Sequence, residues 1–62
     1  MKKPICKLIG QDGNVFNLIG LACKALKKSS QFDKAKELSG KAFRCGSYDE
    51  VLVLIGEYVE IR

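Results

Sequence analysis

A 62-residue chain with a formal charge of +4, three cysteines and no histidine makes a single small domain, which at that length buries only about 60% of its unfolded surface and has a thin margin of stability. An odd number of cysteines, no Cys-x-x-Cys pair and no histidine argue against a disulfide framework or a metal site, and no apolar run nears the roughly 20 residues of a membrane-spanning helix. No secretory order of charged, apolar and small residues opens the chain, so a reducing cytoplasm is the expected compartment, with no cofactor.

In chain order, Lys3–Ile9 (KPICKLI) reads as a short strand with proline at its start. Gly10-Gln11-Asp12-Gly13-Asn14 ends it with turn residues, and Asn14 is placed to cap a helix. That helix runs from Val15 to about Lys28. Val15, Phe16, Leu18, Ile19, Ala22, Cys23, Ala25 and Leu26 share one arc at 100° per residue, while Asn17, Lys24, Lys27 and Lys28 gather opposite. Leu21 falls on the polar side, and Gly20 marks either close backbone packing or simple tolerance of its cost of about 1 kcal/mol.

Ser30-Gln31-Phe32-Asp33 has the pattern of a capping box. It opens a second helix whose apolar stripe is Phe32, Ala35, Leu38, Ala42 and Phe43. Cys45-Gly46 supplies a glycine stop, and Ser47-Tyr48-Asp49-Glu50 is a fuller capping box. Val51–Ile55 suits either a strand or a helical stripe, and the cap before it favours helix. Gly56 either ends that helix or is absorbed in it, and Tyr58–Arg62 alternates as a final strand. The expected fold is a single α+β domain over residues 1–62, ordered β-α-α-α-β, with its terminal strands paired. Because two strands alone are marginal, a second copy pairing at an open sheet edge is expected, giving a homodimer.

The charge is uneven: +2 over residues 1–23, where Lys2, Lys3 and Lys7 outweigh Asp12, +5 over 24–44 and −3 over 45–62. A basic middle attracts anions, and Lys24, Lys27 and Lys28, with Lys7 and Arg44, are the candidate ligand-binding residues for phosphate groups. The alternative for the same lysines is a solvated face that only maintains solubility. Phe16, Phe32, Phe43 and Tyr58 fit core stripes, leaving Tyr48 as the one aromatic side chain outside them. Gly10-Gln-Asp-Gly13 has the outline of a phosphate loop, but Asp12 sets an anion in its path, so a structural corner is the better reading. No catalytic residue is assigned: without histidine no nucleophile stands in an activating setting, and Cys23 lies on the buried arc.

In Lys7–Phe16 (KLIGQDGNVF), the A-L-K-K of the first helix, S-Y-D-E-V-L and the closing Y-V-E-I, the chain resembles a group of short proteins encoded by bacterial phages and prophages, largely of unassigned function. It departs from them in Ser29-Ser30-Gln31, where a glycine turn is expected, and in the apolar Val51–Ile55. The resemblance implies action by binding inside a bacterial host, through sequestering a nucleotide immune signal or occluding a host defence protein. A non-enzymatic homodimer holding a nucleotide or short nucleic acid is the first expectation. A module docking on a host or phage protein through apolar residues such as Leu21 and Val53 is the alternative.

Overall fold

The computed structural model describes residues 3–62; Lys2, counted above among the cations, lies outside them. Its elements are β1 (Ile5–Cys6), α1 (Val15–Lys28), α2 (Phe32–Ala42), α3 (Tyr48–Tyr58) and β2 (Glu60–Ile61). The order is the expected β-α-α-α-β, and the run Val51–Ile55 is helical, with Gly56 absorbed in α3. Both strands are shorter than the sequence implies. They pair in parallel, Ile5 opposite Glu60 and Cys6 opposite Ile61, a geometry that needs a crossover, here supplied by the three helices. The Glu60 N–H donates to the Pro4 carbonyl at 2.8 Å and the Arg62 N–H to that of Cys6 at 2.9 Å.

The corner before α1 uses its polar groups internally. Gly10 takes φ +86°, a left-handed conformation suited to glycine. The Asp12 carboxylate accepts from the Asn14 N–H at 3.1 Å, and the Asn14 side chain caps α1 by accepting from the Phe16 N–H at 2.9 Å. Asn17 then donates its side-chain amide to the Asp12 carbonyl at 2.9 Å.

Between α1 and α2 the expected capping box does not form. Ser30 takes φ 60°, its N–H donates to the Lys27 carbonyl at 3.0 Å, and the Gln31 N–H donates to that of Leu26 at 2.8 Å. This is a Schellman ending for α1, with serine in the position glycine usually fills. Gln31, without a side-chain cap bond, becomes the N-cap of α2. At the next junction α2 ends at Ala42 and Gly46 does not take positive φ, so the glycine stop is also corrected: the chain turns earlier, at Phe43 and Arg44. The box opening α3 does form. Ser47 Oγ accepts from the Glu50 N–H at 3.2 Å, while the Glu50 carboxylate reaches one residue further back, to the Gly46 N–H.

The core joins Leu18, Ala22 and Leu26 of α1 to Leu38 of α2 and Ile55 of α3, with Val59 beyond the helix end. Alanines at 22, 35 and 42 are buried and keep the backbones close, so α1 packs most extensively on α2. The radius of gyration is 10.3 Å, close to the roughly 10.6 Å expected for a folded chain of this length. Leu21, expected on the polar side, is half-buried and packs against the core. The aromatic stripes need the larger correction. Phe16, Phe32 and Phe43 are 64%, 62% and 66% exposed rather than buried. The apolar arcs of α1 and α2 are wider than one neighbouring layer can cover, so their outer edges roll onto the surface. No helix among the described residues is long and apolar enough to cross a membrane.

Candidate functional site

The exposed phenylalanines lie along one groove between α1 and α2. On α1 the residues facing it follow the spacing four, three, four: Phe16, Gly20, Cys23, Lys27. On α2 and its C-cap the same spacing gives Phe32, Lys36, Ser39 and Phe43. Residues so spaced fall on one face of a helix, so each helix presents a continuous stripe. Because a short turn makes the two helices antiparallel, Phe16 meets Phe43 at one end, with ring centroids 6.1 Å apart. At the other end stand Lys27 and Phe32.

Two exposed glycines line the groove beside the aromatic pair. A side-chain carbon added at Gly20 or at Gly40 would meet nothing within 4 Å apart from its own helix and neighbours. Neither glycine is explained by close packing within the chain, the first of the two readings of Gly20. Each costs its helix about 1 kcal/mol relative to alanine, and both line this groove. Their effect is open space next to two exposed rings.

The electrostatics are one-sided. Lys24, Lys27 and Lys36 line the groove and no carboxylate does. Among the described residues the salt bridges are Lys34 and Lys41 to Glu37 and Arg62 to Glu60, so none engages these three lysines. Lys24 also borders a second hollow on the β1 side of α1, lined by Lys7 and Lys28, and this hollow too has no acidic lining. The fold therefore brings Lys7, Lys24, Lys27 and Lys28 onto adjoining surface and adds Lys36, which lies within the basic segment but outside the residues singled out from sequence. Arg44 stands apart, in the turn after α2, lining neither hollow.

Other chemistry is sparse. Burial pushes the Cys23 thiol up, against a smaller opposing pull from Lys27, and its Sγ donates to the Ala35 carbonyl at 3.5 Å. A thiol so held is mostly protonated at neutral pH and a poor nucleophile. Among the described residues no cluster of metal-ligating side chains occurs. The amides of Asn14 and Phe16 at the start of α1 are taken by side-chain oxygens, which fits the corner reading of Gly10–Gly13 better than a phosphate loop. The three phenylalanines were missed in the sequence because an apolar side chain at helical spacing reads equally as core. The usable signal was the pair of four-three-four stripes, each mixing aromatic, small and cationic residues. No family model, curated protein or solved structure matches the chain, so the groove itself carries the functional argument.

Proposed function

We propose that this chain is a small non-enzymatic binding protein that holds a phosphorylated, base-bearing ligand, a nucleotide signal or a short nucleic acid, in the groove between α1 and α2. One observation carries the reading: three exposed phenylalanines share with Lys24, Lys27 and Lys36 a groove without a carboxylate, and among the described residues no salt bridge engages those lysines. Aromatic faces stack on bases and clustered cations attract phosphates, and the combination is a common physical basis of sequence-tolerant nucleic-acid binding. Lys24 and Lys27 meet the phosphates nearest the rings, with Lys28 and Lys7 extending the cationic path over the adjoining hollow. Arg44 has no part in this reading.

The setting proposed is a phage or mobile element, with sequestration of a host nucleotide signal as the use. A homodimer is part of the proposal, and because Ile5 at the β1 edge also lines the hollow with Lys7 and Lys28, its contact lies away from both the groove and that edge. The rival reading, occlusion of a host protein through Leu21 and Val53, keeps Val53 as an exposed contact, while Leu21 is half-buried and offers only its edge in the β1-side hollow.

The test is a titration of oligonucleotides and cyclic nucleotides at low and high salt, against wild type and the triple variant Lys24→Gln, Lys27→Gln, Lys36→Gln. Salt-sensitive binding that the triple variant loses supports the reading. No salt-sensitive binding to any probe removes it.

A further inference from the structure

Resting on that reading, we infer that the groove takes a single strand of nucleic acid several nucleotides long, in preference to a mononucleotide or a duplex. The argument is one of length. Phe32 and Phe43 are eleven residues apart on α2 and its C-terminal turn, as are Phe16 and Lys27 on α1. At a rise of 1.5 Å per residue the groove runs about 16 Å from the Phe16 and Phe43 pair to Phe32. Stacked bases on one strand rise about 3.4 Å each, so a stacked strand reaching both aromatic stations takes roughly five to six nucleotides. A single nucleotide reaches one station and leaves the other wet.

The cations match a strand. Lys24 and Lys36 lie between the stations and Lys27 beside Phe32, where the backbone linking two stacked bases would pass. Lys24 is shared with the hollow holding Lys7 and Lys28, a continuation for phosphates beyond the groove. Only an unpaired strand has base faces free for the rings. In a duplex each interior base is covered on both sides by its neighbours, and exposing one requires unstacking. A second copy of this chain is a poor occupant, because a symmetric contact would gather the groove lysines of both copies, Lys24, Lys27 and Lys36, in one interface that no groove carboxylate neutralises.

The experiment is fluorescence anisotropy on the full chain with labelled oligothymidines of roughly two, four and eight nucleotides, an oligouridine matching the longest, a duplex of the same length, and adenosine monophosphate as competitor. Affinity is expected to rise roughly five- to a hundredfold from the shortest to the longest strand, the contribution of one further base on an aromatic ring. The DNA and RNA arms distinguish the source of the strand. Phe32→Ala and Phe32→Leu are both expected to abolish the gain with length. Phe32 is exposed, and an unchanged circular dichroism melt verifies that each variant folds.

Equal affinity for the monophosphate and the longest strand, or a duplex bound as tightly as a single strand, overturns this inference and leaves the proposed function standing. Full affinity in Phe32→Leu also overturns it, since the groove would then need apolar bulk rather than a stacking face. Failure of every probe to bind in a salt-sensitive way overturns both.

Discussion

The rings of Phe16 and Phe43 stand 6.1 Å apart with their planes inclined at 38°, joining the first turn of α1 to the residue just past α2. This is a favourable tilted aromatic geometry, yet both rings remain largely in water. Truncating either ring is therefore expected to separate stability from binding. Phe16→Ala or Phe43→Ala should lower unfolding free energy by less than about 1 kcal/mol. The same change should weaken oligothymidine binding by roughly five- to a hundredfold. Urea denaturation alongside anisotropy measures both; a loss of stability with binding intact would assign the pair to the fold alone.

The two groove glycines call for the opposite trade. Gly20→Ala and Gly40→Ala add methyl groups to helices that have room for them, so each should stabilise the protein by about 0.5–1 kcal/mol. If the open space beside the rings receives a ligand, the double variant should bind on the order of fivefold or more weakly while melting higher. A higher melting temperature with unchanged affinity would mean the space is not used.

Ser30 holds a left-handed conformation at φ 60° as the hinge of the turn between α1 and α2. Glycine carries no steric penalty there, whereas a residue with a side chain does. Ser30→Gly is expected to raise stability by about 1 kcal/mol, or several degrees in melting temperature for a domain of this size. A β-branched replacement such as Ser30→Val should lower it. Thermal melts of the two variants check the sign of each.

Glu37 sits between Lys34 and Lys41 on α2, 3.3 Å from the Lys41 ammonium. The Lys41 ammonium, with a lesser contribution from the Tyr58 hydroxyl, holds this carboxyl below its ordinary value of 4.5. Tyr58 and then Glu37 hold Lys41 above its ordinary 10.5. A depressed carboxyl contributes stability above its ordinary value and loses it as the pH falls through the depressed one. A raised ammonium contributes below its ordinary value and loses it as the pH rises through the raised one. Wild type should thus melt slightly above Glu37→Gln at neutral pH, and the difference should close once the medium is acidic enough to protonate Glu37. A difference that persists at low pH would trace to packing rather than charge.

The legibility of the fold followed how local each determinant is. Val15–Lys28 declared itself because its cap and three- to four-residue periodicity are encoded within the segment, and Ser47 with Glu50 decided for helix in the ambiguous run Val51–Ile55 for the same reason. The Ser30 box failed because a competing use of the same residues won: closing α1 with two backbone hydrogen bonds outweighed a side-chain cap for α2. Both strands are shorter than Lys3–Ile9 and Tyr58–Arg62, since a strand lasts only as long as its partner accompanies it, and Glu60–Ile61 gives β1 two residues of pairing.

The amino-acid sequence by itself determined the order of elements, the start of α1 and α3, and the concentration of lysine in the middle of the chain, because periodicity, caps and charge are written within a few residues of one another. Tertiary structure decided the parallel pairing of the ends, the half-burial of Leu21, the exposure of Phe16, Phe32 and Phe43, and the gathering of Lys24, Lys27 and Lys36 around them. An apolar stripe specifies that something must cover it, but which part of the stripe is covered depends on the width and angle of the neighbouring helix, a property of two segments together.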